Sequence, residues 1–169
     1  MQGQEINLEQ MLKRREERVQ IQSELLKKYE CPLISFSMNI PGPIKTNDLI
    51  RNAFEIGKKL LLEKLQLKNF VINSIIETHE LTGDELFLSI NAEPDELKNI
   101  TVEIENNNSL GRLFDMDVIN SNGEKISRKI FRKCLLCNNQ AQICARSRTH
   151  SVKEMQDAVE NILKNTAII

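Results

Sequence analysis

The sequence predicts a single α+β (or α/β) domain, in which a mixed or antiparallel sheet is flanked by helices and the first helix is long. Two observations favour this class. Segments with an apolar period of two alternate irregularly with segments of helical period, and short turns separate them. No repeat, low-complexity run or linker interrupts residues 1–169. We therefore expect one domain that spans the whole chain.

The first elements follow from apolar spacing. A charged amphipathic helix is predicted from Leu8 to Tyr29. Leu33 to Ile40 follows as a strand, because apolar residues alternate there with Ser and Asn, and Pro41-Gly42-Pro43 ends it. A second helix is predicted from about Asn47 to Leu65, with Asn47 or Thr46 as its N-cap.

The middle of the chain predicts a hairpin and a helix. Phe70–Ile76 and Leu86–Ala92 are expected to pair across a turn at Thr82-Gly83-Asp84. Pro94 fits the first turn of a helix. Thr101–Glu105 continues that helical spacing but also has strand propensity, so both interpretations remain open.

The second half carries a turn signal and a cap signal. Asn122-Gly123 favours a two-residue hairpin, so the strand before it is expected to fold back onto Glu124–Ile130. Ser151 and Glu154 form a capping-box pattern that opens the last helix.

Composition excludes several classes of function. Aromatic residues make up 4% of the chain and Trp is absent, which argues against a stacking platform for single-stranded nucleic acid. The net charge of −1 is not that of a nucleic-acid binder, so no nucleic-acid partner is expected. No apolar run is long enough to span a membrane, so no membrane association is expected. The polar N-terminus predicts a cytoplasmic protein, in which the four Cys are reduced.

The segment Gly111–Val118 carries two carboxylates on a short apolar strand. Asp115 and Asp117 point to the same face, with their backbones roughly 6–7 Å apart. Carboxylates are natural ligands of Mg²⁺, and such strands hold metal at phosphoryl and nucleotidyl transfer centres. The alternative is an exposed strand face whose acids are simply solvated.

A second candidate site lies in the cysteine-rich segment. Cys134, Cys137, Cys144 and His150 are separated by two, six and five residues, and they match the chemistry of a Cys₃His zinc site. Three buried small hydrophobic residues would give the same pattern, and so would a redox Cys-x-x-Cys pair. These alternatives stay open.

The same region is basic. A polyphosphate ligand needs several cationic donors, and Arg matches phosphate oxygens with a fork of N–H groups. The candidates here are Arg128, Arg132, Arg146 and Arg148. Each of them alone is equally consistent with a solvated surface. Taken together with the cysteines, they also fit a zinc-stabilised binding module with a basic contact patch, which would hold stoichiometric zinc and show no turnover.

Four stretches together resemble a known enzyme family. They are Ile34–Pro43, Glu77-Thr78 with Thr82-Gly83, Gly111–Val118, and Arg132–His150. In this order they are similar to apo-citrate lyase phosphoribosyl-dephospho-CoA transferase, the holo-acyl-carrier-protein synthase of citrate lyase.

The resemblance implies a reaction of the nucleotidyltransferase type. The donor would be 2′-(5″-triphosphoribosyl)-3′-dephospho-CoA, the acceptor a serine of the apo acyl carrier protein (the γ subunit of citrate lyase), and the second product pyrophosphate. Mg²⁺ on Asp115 and Asp117 would bridge donor phosphates. Further contacts to the donor would come from Arg112, Gly111, the arginines named above, and Pro41-Gly42. Open assignments are a third carboxylate, with candidates Glu103, Glu105 and Asp157, and a general base, with His79 as the candidate.

Overall fold

The computed structural model describes residues 1–107 and 109–166 as an antiparallel four-stranded sheet with five α-helices. The strand order is β2-β3-β1-β4, and every pairing is antiparallel. This confirms the predicted α+β class and, of the two sheet types expected, the antiparallel one. In chain order the elements are α1 (Leu8–Tyr29), β1 (Leu33–Met38), α2 (Asp48–Leu67), β2 (Val71–Glu80), β3 (Gly83–Asn91), α3 (Pro94–Asn107), a 3₁₀ turn (Leu110–Leu113), β4 (Phe114–Ile119), α4 (Ala141–Ser147) and α5 (Val152–Thr166).

The main core lies on one face of the sheet. There α2, α3 and α5 pack against alternating strand residues such as Phe36, Leu88 and Met116, all of which are buried. Phe36 stacks on Phe54 of α2 at a centroid distance of 4.9 Å, and such a pair adds about 0.5–1.5 kcal/mol beyond its buried area. Phe36 also contacts Phe114 of β4 edge-on at a centroid distance of 5.4 Å, which joins the apolar side of β4 to this core.

The opposite face of the sheet is covered by α1. Leu25 of α1 packs with Leu33, Phe87 and Ile119 in a smaller core. Nearer the N-terminus of α1, Arg14 donates to the buried carboxylate of Glu85 at 2.5 Å, and Arg18 pairs with the same group. Asp115 and Asp117 also lie on this face of β4, where their cross-strand partners on β1 are Ser37 and Ser35.

Several predicted elements have different bounds in the structure. β2 continues through Glu77–Glu80, which the sequence had assigned to the approach to a turn. Thr101–Glu105 is helical within α3, because Leu97, Ile100 and Ile104 bury one helix face. The caps were correctly predicted: Asn47 accepts from the N–H of Ile50, and Ser151 and Glu154 form their reciprocal hydrogen bonds.

The strand expected over Glu124–Ile130 is wrong. The turn at Asn122-Gly123 forms, with Gly123 at φ +86°. Pairing ends after one bridge, between Ile119 and Lys125. Two hydrogen bonds flank that bridge, from Asn120 N–H to the Glu124 carbonyl and from Ile126 N–H to the Val118 carbonyl. The reason lies in α3. Its Glu105 accepts from the Met116 N–H at 2.8 Å. A strand that continued along β4 would need this N–H for its next hydrogen bond, and the N–H is already bonded.

Among the described residues, no helix has both the length and the apolar character needed to cross a membrane.

Candidate functional site

The two acids of β4 lie side by side at the edge of the sheet. Strand alternation buries Phe114, Met116 and Val118 and leaves both carboxylates facing solvent, as the sequence predicts. Asp117 accepts a 2.5 Å ion pair from Lys125, which the Asn122-Gly123 turn brings back toward β4. The carboxylates open into a space of about 480 Å³, called the acid cavity here, whose walls include Lys98, Glu105, Arg128, Phe131 and Arg132.

The two acids differ in their electrostatic surroundings. Asp115 keeps contact with solvent, and it is one of the residues that line the acid cavity. Burial, followed by the negative charge of Asp117, raises the pKa of Asp115, and the nearby Arg132 opposes the shift. Two crowded carboxylates of this kind are stabilised by a bound cation.

Glu105 organises the positive side of the cavity. Its side chain is 3% exposed and pairs with Arg132 at 3.0 Å and with Arg128, in addition to its bond from Met116 N–H. Of the three candidate third carboxylates, Glu105 is therefore the one beside Asp115. All of its oxygens already have protein partners, so in this structure it positions arginines.

The other two candidates for the third carboxylate lie elsewhere. Glu103 pairs with Lys64 of α2, and Asp157 pairs with Lys153 on α5. The proposed general base His79 is on β2, the strand at the opposite edge of the sheet, where its ring contacts Asp84 and Glu77. Two strands separate β2 from β4, so His79 is not a base for chemistry at Asp115.

Lys98 is a site residue that our reading of the sequence missed. Its side chain is 8% exposed and its ammonium donates to the Met116 carbonyl at 3.3 Å, facing the acid cavity. Burial lowers the pKa of Lys98, while the charges of Glu105 and Asp117 oppose that shift. A signal was available: Lys98, Thr101 and Glu105 recur at helical spacing, so a polar stripe faces β4.

Arg112 joins the acid strand to the cysteine segment. It lies in the 3₁₀ turn before β4 and donates to the carbonyls of Lys133 and Cys134 at 2.6 and 3.1 Å. Gly111 allows this turn to sit against the end of α3, because a Cβ there would lie 2.6 Å from the carbonyl oxygen of Glu105. In this structure the guanidinium of Arg112 therefore fixes the backbone of the cysteine segment at Lys133 and Cys134.

The four predicted zinc ligands come together. The sulfur atoms of Cys134, Cys137 and Cys144 and one ring nitrogen of His150 all lie within 4.8 Å of one another. The Cys137 and Cys144 sulfurs are 3.5 Å apart, and His150 Nε2 is 3.4 Å from the Cys137 sulfur. A tetrahedral zinc with bonds of about 2.3 Å places its sulfurs roughly 3.8 Å apart, so the cluster is compatible with structural zinc.

The thiols of this cluster are unequal. Burial opposes ionisation of Cys134, but hydrogen bonds from the backbone N–H groups of Leu136 and Cys137 outweigh it and lower the pKa of Cys134 to about 7. Burial and hydrogen bonds with the other thiols raise the pKa of Cys144 to about 11. Backbone N–H groups that donate to a sulfur favour its thiolate form, and the thiolate is the form that binds a metal.

A larger cavity of about 640 Å³ lies beside the cysteines and is called the cysteine cavity here. Pro41, Arg112, Arg132, Arg148 and His150 are among its lining residues. It shares Asn39, Arg132, Ala141 and Ala145 with the acid cavity, so the two cavities are adjacent. Its volume suits a cofactor-sized molecule.

The remaining predicted donor contacts are dispersed. Gly42 has φ +82° and a Cβ there would strike Gln156, so this glycine permits the loop to pack on α5. Arg148 caps α4 at the rim of the cysteine cavity. Arg146 is exposed on α4 and lines neither the acid cavity nor the cysteine cavity. Arg128 and Arg132 are the two predicted arginines that the structure brings beside the acids.

An antiparallel α+β fold that gathers carboxylates and fixed cations in one cleft has the arrangement of an enzyme acting on an anionic ligand. Comparison with known proteins identifies which enzymes are similar. The chain belongs to the family described as apo-citrate lyase phosphoribosyl-dephospho-CoA transferase, which it matches over residues 6–166. The resemblance inferred from the sequence is thereby confirmed.

Individual relatives agree with the family match. An Escherichia coli O7:K1 protein named apo-citrate lyase phosphoribosyl-dephospho-CoA transferase is 34% identical over 164 residues, 95% of this chain and 90% of the relative. A Vibrio cholerae serotype O1 (strain M66-2) protein, named "Probable apo-citrate lyase phosphoribosyl-dephospho-CoA transferase", is 38% identical over 162 residues, 93% and 91% of the two chains. The family match, over residues 6–166, spans the segments that line both cavities.

Proposed function

We propose that this protein transfers the phosphoribosyl-dephospho-CoA group from 2′-(5″-triphosphoribosyl)-3′-dephospho-CoA to a serine of the apo acyl carrier protein, the γ subunit of citrate lyase. The family match over nearly the whole chain supports the substrates. The single structural observation that carries the chemistry is the pair Asp115 and Asp117, exposed together in a cavity walled by fixed cations. On this proposal residues 1–169 are one transferase domain working in the cytoplasm.

The reaction is a nucleotidyltransferase-type displacement. The serine oxygen forms a bond to the phosphorus attached to the ribose, the bond from that phosphorus to the next bridging oxygen breaks, and pyrophosphate leaves with the electron pair while the hydroxyl proton is released. Negative charge gathers on the leaving group, so cations positioned beforehand lower the barrier.

Asp115 and Asp117 are the proposed Mg²⁺ ligands. Their shared face, their solvent contact and the raised pKa of Asp115 fit a divalent cation bound by oxygen. Mg²⁺ bound there would neutralise phosphate charge near the transferred phosphorus. Lys125, which pairs with Asp117 in this structure, would then be free to turn toward a phosphate oxygen.

The cations around the acids are proposed to hold the triphosphate. Arg132 and Arg128 are oriented by Glu105, and Lys98 has two N–H groups left after its bond to the Met116 carbonyl. The dephospho-CoA portion would extend into the cysteine cavity past Pro41, Gly42 and Arg148. Arg112 and Gly111 would shape the passage between the cavities, and Arg146 would add charge outside it.

We propose Zn²⁺ as the occupant of the Cys134, Cys137, Cys144 and His150 cluster. The donor set and the mutual distances support a closed structural site. Zinc there would fix the segment whose carbonyls receive Arg112, and so would stabilise the wall between the two cavities.

The test combines turnover with metal analysis. Purified protein is incubated with apo carrier protein, the triphosphoribosyl donor and Mg²⁺, and the carrier is weighed by mass spectrometry. We expect a mass gain equal to the phosphoribosyl-dephospho-CoA group, lost in both Asp115→Asn and Asp117→Asn although these variants stay folded. Zinc at one equivalent with no mass gain in the wild type would instead favour the binding-module alternative.

A further inference from the structure

The segment Lys129-Ile130-Phe131 is unusual for the surface of a monomer. Ile130 is 82% exposed and Phe131 is 68% exposed, although both side chains are large and apolar. Burial of large apolar side chains is a main source of stability in folding and association, so two adjacent ones left in water forgo a large stabilisation. Adjacent exposed apolar groups of this size are typical of a contact surface.

Both ends of this segment are anchored. Arg128 on one side and Arg132 on the other pair with the same buried carboxylate, Glu105. The next carbonyl, that of Lys133, accepts from Arg112. The three residues between the arginines therefore project from a fixed base, and little conformational entropy would be lost when a partner covers them.

The two lysines of this region differ from its arginines in having no ion-pair partner among the described residues. Lys129 and Lys133 are exposed, and neither forms an ion pair with any residue in the described ranges. Two free ammonium groups on either side of two apolar side chains are complementary to an acidic surface with an apolar hollow.

The location links the segment to the reaction. Phe131 lines the acid cavity together with Asp115 and Asp117. On its other side, Lys129, Ile130 and Phe131 line a further cavity of about 470 Å³ along α3. A macromolecule that places a side chain at Asp115 would cover this rim.

We propose that Lys129-Ile130-Phe131, flanked by Lys133, is the docking surface for the acceptor protein, which presents an acidic patch around its serine. This inference rests on the proposed function, since it takes the protein acceptor from there. In this arrangement the acceptor contacts the chain at Lys129-Ile130-Phe131 through an acidic surface.

The test varies the two substrates separately. Steady-state transfer is measured for Ile130→Ser and Lys129→Glu, with the apo carrier and the triphosphoribosyl donor titrated in turn. We expect the KM for the carrier to rise about tenfold or more in each variant, and the KM for the donor to stay within about twofold. Added salt should weaken carrier use by the wild type more than by Lys129→Glu.

Matched controls come from distant, equally exposed positions. Leu67→Ser changes an apolar side chain that is 78% exposed at the end of α2, and Lys59→Glu reverses an exposed charge on the same helix. Neither should change either KM. A rise confined to the donor KM would mean that the segment contacts the donor, and unchanged values for both substrates would equally overturn the proposal.

A binding measurement separates this inference from the proposed function. Isothermal titration of apo carrier protein into the wild type and into Lys129→Glu does not require turnover. Weaker binding by the variant supports docking at this segment even if no transfer is detected, whereas equal binding refutes it even if transfer is normal. Self-association of the wild type that is abolished by Ile130→Ser would assign the surface to a second copy instead.

Discussion

Replacing Glu105 by Gln isolates the group that orients both arginines of the acid cavity. The amide can still accept from the Met116 N–H, but the charge that holds Arg128 and Arg132 is lost. A hydrogen bond to a charged group contributes about 1.5–3 kcal/mol. Because both arginines reach solvent and can turn outward, we take the equivalent of one such bond, about 1.5–3 kcal/mol.

That loss predicts a measurable change in melting temperature. For a chain of this length about 1 kcal/mol corresponds to roughly 2–4 °C, so Glu105→Gln should lower Tm by about 3–12 °C in a reversible thermal melt. The donor KM should rise as well, since the arginines no longer point into the cavity.

The matched control is Glu103→Gln, two residues earlier on the same helix. Glu103 is exposed and pairs with Lys64 on the surface, so its loss should leave Tm and the donor KM unchanged. If Glu105→Gln melted with the wild type, the carboxylate would not be the anchor described above. If it kept full stability but lost all turnover and Mg²⁺ dependence, Glu105 would be a metal ligand.

Three further predictions concern the metal sites and the cations. Because burial and Asp117 raise the pKa of Asp115 above its usual value, the charged form is destabilised in the fold; without Mg²⁺, Asp115→Asn should therefore melt above the wild type at neutral pH, an advantage that disappears as pH falls through the raised pKa, and a lower Tm would contradict this. Cys137→Ser should lose bound zinc and thermal stability while Cys31→Ser, outside the cluster, should not; absence of zinc in wild-type protein by elemental analysis would reject the site. Arg112→Lys and Lys98→Met should each weaken donor use roughly ten- to hundredfold, and a change only in the carrier KM would remove both from the donor site.

Alternation along the chain was enough to predict part of the site. Asp115 and Asp117 share a face because a strand has a period of two, and that period is local. The Cys₃His cluster was also suggested by spacing, since short gaps keep ligands near one another. These two groups of residues could therefore be predicted from the spacing within short segments of the chain.

The rest of the site depends on how distant elements pack. Lys98 and Glu105 matter because α3 lies against the free edge of β4, and no local pattern states which edge a helix will cover. The same packing of α3 against β4 explains why the strand expected after Lys125 does not form. The assignment of His79 as a general base failed for a related reason. The strand order β2-β3-β1-β4 separates His79 from the acids, and the order of strands in a sheet depends on contacts between distant parts of the chain.

The covering of the β4 edge also restricts how an acceptor can approach. Many proteins capture a peptide by adding it as an extra strand at an open edge, with recognition through main-chain hydrogen bonds. Here the N–H and the carbonyl of Met116, midway between the two acids, are already bonded to Glu105 and Lys98. An incoming chain cannot extend the sheet at this point. On the proposed function, the acceptor serine would therefore be presented by a segment that does not join the sheet, such as a turn or a helix end.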